Sequence, residues 1–447
     1  MAESFCRLPP SERVAALKSI IASLSPVEAC IARRELLLSD GTAEFDLIAC
    51  LPSELVHRVF GLLDPHSLSE CSKVSRIWRR SACASNVVHE VVRAAGFSSS
   101  LPAAVCDDRG GNSDYCMLRR LNEREERWAS CSPVLSKAIP TIGTVTALAL
   151  SNDWAAASIG RRLRAWKISR AELRLAFDVW THAAKSIAIC PSGGHLAYSS
   201  YLRTATVYAL ADSSELFSVT SPVEGIISID LHLDLLAVLK QNGSIDIYNW
   251  KQRRQISSIH SDSSKLCVMK LCSQDWLIAA SKNWNTQVFR VENGSLAYTA
   301  VLAGMDPDLS EKHVPRLKAI ERYPGFIYIS VYGEVKQVRF AVNTARRCIQ
   351  KPKLRMLLPN YTILDATFAR VLFVRYHNGD PHSCHILHTA GDRVLNEIIF
   401  PRLNTLLKSS IHRKQAPSSL PMTTLDDNTA LIADNSENVL IVQRFSH

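Results

Sequence analysis

Residues 51–84 read LPSELVHRVFGLLDPHSLSECSKVSRIWRRSACA. Leu51, Leu55, Val59 and Leu63 recur every four residues, the spacing of one helical face, with Phe60 beside them. Asp64-Pro65 ends that helix, because proline pushes the residue before it out of the helical region. Leu68 anchors a short second helix. Val74 and Trp78, again four apart, share a face of a third. A three-helix unit of roughly 35 residues is too small to be stable alone and calls for a partner surface.

On the N-terminal side, Val14, Leu17, Ile20, Ile21 and Leu24 fall at helical spacing. A second helix starts at Ser25-Pro26-Val27-Glu28, where serine caps, proline suits the first helical position and glutamate closes a capping box. Two such short amphipathic helices cannot bury themselves. They either pack on the next domain or form a homodimer seam through Val14, Leu17, Ile21, Val27 and Ile31. On the C-terminal side, residues 86–132 read as mostly helical. Leu118, Leu121 and Trp128 lie among charges there, and Ser98–Asn112 is a polar surface loop.

Beyond residue 132 the hydrophobic period changes from helical to two. Seven stretches open with an alternating strand, near Thr144, Ser186, Ile226, Lys265, Arg316, Ile363 and Met422. They lie roughly 40–60 residues apart, which suits a four-stranded propeller blade with loops of varied length. The third is the clearest: Ile226–His232, Leu235–Lys240, Ser244–Trp250 and Gln255–His260, with Asn242-Gly243 as a hairpin turn. After Met422 there is room for three short strands only. Val134–Ile139 can supply the missing outer strand, which removes the open edge of the last blade. The expected fold is thus an N-terminal helical region with a three-helix module, followed by a seven-bladed β-propeller. The expected domains are an N-terminal helical segment at 1–45, the three-helix module at 46–85, a helical connector at 86–132 and the propeller at 133–447.

The three-helix segment resembles an F-box. Leu51, Pro52, Glu54 and Leu55 match the family's opening. Val59, Phe60 and Leu63 match its aliphatic-Phe pair and leucine, Asp64, Pro65 and Leu68 its Asp-Pro and leucine, and Val74, Ser75, Arg76 and Trp78 its close. Val59 stands where isoleucine is commoner. The stretch from Arg124 to Trp128 resembles the connector that follows F-boxes attached to propellers. The strands RLRAWKI, ATVYAL, SIDIYNW and NTQVFRV place Trp166, Tyr208, Tyr248 and Phe289 where WD repeats carry tryptophan. The repeat is degenerate, because no aspartate follows that aromatic and no Gly-His pair opens the units. The resemblance implies a substrate receptor of an SCF-type (Skp–cullin–F-box) ubiquitin ligase. A Skp-family adaptor would bind through Leu51, Pro52, Leu55, Val59, Phe60, Leu63, Leu68, Val74 and Trp78, and a cullin would join indirectly. Catalysis in such a chain is positioning, with no residue forming a thioester. The alternative is a propeller scaffold that binds nucleic acid or anionic lipid.

Composition sets the bounds around this reading. The chain has 447 residues, 52 Lys+Arg against 42 Asp+Glu, and a net charge of +10, which favours acidic partners. A hydrophobic share of 47% with 21% charged residues is that of an ordinary globular chain. No uncharged apolar run approaches the ~18 residues of a membrane span, and Glu3, Arg7 and Glu12 interrupt any signal-peptide core. The 13 cysteines include no C-x-x-C pair, so they are expected as reduced thiols in the cytoplasm and/or nucleus.

No P-loop, dinucleotide fingerprint, nucleophile elbow or H-E-x-x-H occurs, and neither enzyme activity nor cofactor is expected. His377, His382, Cys384, His385 and His388 carry zinc-ligand chemistry, but on a strand His382 and Cys384 face one way and His385 the other, so no metal is expected. Arg161, Arg203, Lys282 and Arg375 fall at second-to-third strand turns of four different units, with Tyr201, Trp284, Tyr332 and Tyr376 beside them or in a further turn. On one propeller face, such a ring binds an acidic or phosphorylated protein segment. The same residues also fit a solvated rim.

Overall fold

The computed structural model describes residues 51–94, 113–301 (apart from 152, 170–171, 191–193, 261–265 and 282–284) and 422–445 (apart from 427–428 and 436–437). Over 316–399 it describes strand backbones, and before 51 single residues and short stretches. The described residues form two compact units, one up to Val91 together with Leu118, the other from Val92 onward.

In the first unit, α1 (Ser53–Gly61) is followed by α2 (Pro65–Val74), α3 (Arg76–Ala82) and α4 (Ser85–Ala94), and Leu118 comes from the first part of α5 (Ser113–Ala129). The helix expected from Leu51 to Leu63 is shorter than its four-residue spacing suggested. Pro52 stands at its start, and Leu62 N and Leu63 N close the last turn on Val59 O and Phe60 O. Its inward face is Val56 and Phe60, also four apart. Val74 and Trp78 do not share a helix, because Ser75 is fully extended (φ −153°, ψ 171°) between α2 and α3. Serine suits that break, since its hydroxyl accepts Trp78 N at 3.2 Å and so caps α3. Asp64 caps α2 in the same way, accepting His66 N at 2.9 Å and Ser67 N at 3.0 Å, with Pro65 in the first turn. Partial burial alone would raise the Asp64 carboxyl, but the hydrogen bonds from Ser67 and His66 outweigh it and hold the group below its ordinary range.

The core of this unit is Ile48, Val56, Phe60, Leu68, Ala82, Val87, Val91 and Leu118, with Leu51, Leu63 and Trp78 packed at its margin. Trp78 lies 5.5 Å from Phe60, centroid to centroid, and its indole Nε1 donates to Asp46 Oδ1 at 2.8 Å. Further towards the N-terminus the expected capping box is present: Ser25 N donates to Glu28 Oε2 at 2.8 Å and Glu28 N to Ser25 Oγ at 3.3 Å. Val27 and Ile31 are exposed there. Val14, Leu17 and Ile21 lie outside the described residues, as does the Ser98–Asn112 loop.

The second unit is strand-rich, and its strands group into seven antiparallel sheets. The first holds β2 (Val145–Ser151), β3 (Trp154–Ile159), β4 (Arg162–Ile168) and β5 (Leu173–Trp180). The second holds β6 (Ala184–Ile189), β7 (His195–Ser200), β8 (Thr204–Ala209) and β9 (Glu215–Thr220), and the third β10 (Ile226–His232) to β13 (Arg254–Ile259). The fourth, fifth and sixth open at β14 (Leu266–Leu271), β18 (Arg316–Arg322) and β23 (Tyr361–Ala366), the fifth having five strands rather than four. The seventh is built from β27 (Met422–Leu425), β28 (Thr429–Asp434), β29 (Val439–Arg444) and, from the other end of the unit, β1 (Leu135–Pro140). β1 pairs antiparallel with β29, Leu135 opposite Arg444 and Pro140 opposite Val439, which is the edge-closing exchange expected of Val134–Ile139. Sheets of this kind and order are those of a β-propeller.

The repeat is visible in backbone detail. A β-bulge falls near the start of the first strand in five sheets, at Val145/Ala147, Ala184/Ser186, Ile226/Ser228, Leu266/Val268 and Ile363/Asp365. A second falls where the third strand pairs with the fourth, at Trp166, Tyr208, Tyr248 and Phe289, the positions read as WD-like aromatics. Bulges strengthen local twist, and their recurrence gives successive sheets the same curvature.

First strands present edge N–H groups that must find acceptors. The preceding sheet supplies them: Asn435 Oδ1 takes Val145 N at 2.7 Å, Ser158 Oγ takes Ala184 N at 3.1 Å, Ser186 Oγ takes Ile229 N at 3.4 Å and Asp230 Oδ2 takes Leu271 N at 2.7 Å. Asp230 also receives Lys270 Nζ at 2.6 Å. Asp246, on the third strand of its sheet, receives Lys240 Nζ at 2.6 Å and Ser258 Oγ at 2.7 Å. These buried acids make polar networks in a chain whose repeats lack the WD aspartate. Where α5 ends, Trp128 is fully buried and stacks on Phe445 with centroids 3.7 Å apart.

Candidate docking surfaces

The nine residues that the F-box resemblance pointed to divide by burial. Phe60 and Leu68 are enclosed at 1% and 0% exposure, so they build the core and have no surface to offer. Leu51, Leu63 and Trp78 are half-buried against that core. Pro52, Leu55, Val59 and Val74 are exposed. Two exposed apolar residues escaped the sequence reading, Leu62 and Ile77. Leu55, Val59 and Leu62 are spaced four and three apart, so they follow one face of α1 through its last turn. Val74 and Ile77 flank the extended Ser75. Leu62 is the most exposed of these, at 87%. Exposed side chains of this size in so short a segment mark an interaction surface better than scattered single residues would.

On the second unit, Arg161 and Arg203 do lie in second-to-third strand turns, and the turns are held to the links that lead into the next sheets. Thr181 N donates to Arg161 O and Ser221 N to Arg203 O, each at 2.9 Å. The arginines are not equivalent. Arg203 donates from its guanidinium to the carbonyls of Pro222 (3.3 Å) and Val223 (3.0 Å), so it braces its own link. Arg162 and Arg164 share Asp178, at 2.8 and 3.2 Å. Arg161 is exposed, with no side-chain partner among the described residues. The two described turns thus present one free arginine, Arg161, and one that is spent on backbone carbonyls. Lys282 and Trp284 lie outside the described residues. Tyr332 closes β19 (Gly325–Tyr332), and Arg375 and Tyr376 stand within β24 (Arg370–His377), opposite Ser383 and Pro381, rather than in a turn. The side chains of the histidine-rich hairpin are likewise outside the described residues. Among the described residues, no helix is long and apolar enough to cross a membrane.

An F-box-like family model matches residues 48–93. No curated protein matches the chain in sequence. Among solved structures, the β-propeller domain of Cps50 (Swd1) from Myceliophteria thermophila is similar at a TM-score of 0.52 and 10% identity, over 69% of this chain and 99% of that one. At that identity the likeness is one of fold. The chain therefore joins an F-box-like domain to a β-propeller.

Proposed function

We propose that this protein is the substrate-recognition subunit of an SCF-type ubiquitin ligase, with a seven-bladed propeller as its receptor. A Skp-family adaptor docks on the F-box-like domain, a cullin joins through that adaptor, and the propeller holds a protein substrate. The observation that carries the reading is the exposed apolar set Leu55, Val59, Leu62, Val74 and Ile77 on a domain whose core is already closed. The chain supplies no chemical step of its own: it raises the local concentration of a substrate lysine near a charged conjugating enzyme. The reading places it in the cytoplasm and/or nucleus, where ubiquitin is conjugated. Affinity purification from cells of the full chain, and of a chain lacking 46–85, tests it. The full chain is expected to bring down adaptor and cullin, and the shortened one neither. Equal recovery from both, or from neither, would contradict the proposal.

A further inference from the structure

Eight large apolar side chains of the second unit are exposed among the described residues, and five of them lie at the end that carries the second-to-third strand turns. Ile142 sits in the link into the first sheet, Trp180 at the end of β5, Tyr201 and Leu202 in the β7–β8 turn, and Val223 in the link into the third sheet. Their exposures run from 57% for Leu202 to 92% for Ile142. Fold stability does not require them there. The backbone beneath is held on both sides: Gly160 N, in the same turn as Arg161, donates to Thr144 O, and the Arg161 and Arg203 carbonyls accept from Thr181 N and Ser221 N of the links that follow. A surface set in advance loses little freedom on binding. Trp180 is also braced, with the Arg162 guanidinium 4.5 Å from its ring centroid.

The charges around these residues select among occupants. Arg161 stands free, Arg203 faces carbonyls, and Asp178 is taken by Arg162 and Arg164. A second copy of the same surface would set Arg161 against a surface whose acids are Asp178, already paired twice, and the half-buried Glu224 beside Val223. A phosphorylated segment calls for several unpaired cations converging on one group, and the described residues of this end offer Arg161 and the half-buried Lys185, which belong to different sheets. Nucleic acid has no use for Ile142, Leu202 and Val223.

Resting on the reading of the propeller as the substrate receptor, we propose that this end takes an extended, unphosphorylated protein segment with apolar anchors and acidic residues between them. The anchors pack on Trp180, Tyr201, Leu202 and Val223, and one carboxylate pairs with Arg161. Trp, Tyr and Arg are the residues in which binding energy concentrates at interfaces.

The test uses the purified full chain against an array of random 12-residue peptides, each synthesised with and without phosphoserine. Selected peptides are expected to be rich in Leu, Phe or Trp together with Asp and Glu, and phosphate is expected to add nothing. Trp180→Ala with Leu202→Ala is expected to weaken them by at least roughly tenfold, and Arg161→Glu by several-fold. Tyr201→Ala with Val223→Ser, in the β7–β8 turn and in the link into the third sheet, gives a second variant, and an unchanged melting temperature shows that each variant is folded. Selection of phosphopeptides only, selection indifferent to both double variants, or no selection overturns the proposal. Adaptor recovery is measured on the same preparations: adaptor bound without peptide selection defeats this inference alone, and peptide selection without adaptor defeats the ligase reading alone.

Discussion

Phe60 and Leu62 are two residues apart, both large and apolar, and the structure gives them opposite roles. Phe60 is 1% exposed and packs with Trp78, Val56 and Leu68 in the core, whereas Leu62 is 87% exposed. Truncating a buried phenylalanine removes its transfer energy and leaves a cavity, together about 3–5 kcal/mol. A single core in a unit this small supplies no more than about 3–5 kcal/mol in total. Phe60→Ala therefore removes most or all of the stability of the F-box-like unit. Leu62→Ala deletes a side chain already in water and is expected to change stability by less than about 0.5 kcal/mol. Hydrogen exchange read by mass spectrometry on the full chain separates the two. Amides of α1 to α4 should lose protection in Phe60→Ala, while those of the seven sheets keep theirs, and Leu62→Ala should match the parent throughout. Protection retained in Phe60→Ala, or lost equally in Leu62→Ala, would refute the division into core and docking face.

Other outcomes follow from the same geometry. Asn435→Ala leaves Val145, 2% exposed, without partners for both its N–H and its carbonyl, which the amide now bonds at 2.7 and 3.0 Å. A loss of roughly 2–4 kcal/mol is expected in urea unfolding of the propeller, at about 1–3 kcal/mol for each buried group left unpaired. Asp64→Ala should cost about 1 kcal/mol through the lost cap of α2. Because the Asp64 carboxyl is held below its ordinary value, its contribution is complete above the ordinary aspartate range and disappears as pH falls through the folded value. The parent and Asp64→Ala should therefore converge in thermal stability in acid and differ at neutral pH. Trp128→Ala removes a fully buried ring stacked on Phe445 and should lower the stability of the propeller by about 3–5 kcal/mol, seen as a lower melting temperature.

Much of the fold was legible because it rests on periodic signals. The strand openings expected near Thr144, Ser186, Ile226, Lys265, Arg316, Ile363 and Met422 fall within two residues of the first strands of the seven sheets. The exchange of β1 into the last sheet followed from counting strands against chain length. The F-box-like segment was legible because its Asp-Pro, its leucines and its tryptophan sit at fixed spacing. What failed was the assignment of faces. Four-residue spacing was carried from Leu51 to Leu63 across both ends of a helix that runs only from Ser53 to Gly61, so Leu62 was passed over and Phe60 was placed with the docking residues. The partners of Arg203 are carbonyls about 20 residues away in sequence, and no local pattern announces such a contact. Trp180 ends an ordinary alternating strand, and only the tertiary fold shows that it stays exposed.

The most direct test of the account is a calorimetric titration of a purified Skp-family adaptor into the purified full chain and into Leu62→Asp with Val74→Asp. Both substituted positions are exposed, at 87% and 62%, so the variant should fold as the parent does. The account predicts a saturable one-to-one complex with the parent and loss of binding by at least roughly a hundredfold in the variant, because a carboxylate would be buried without a partner at each position. No complex with the parent, or the same affinity for parent and folded variant, would contradict it.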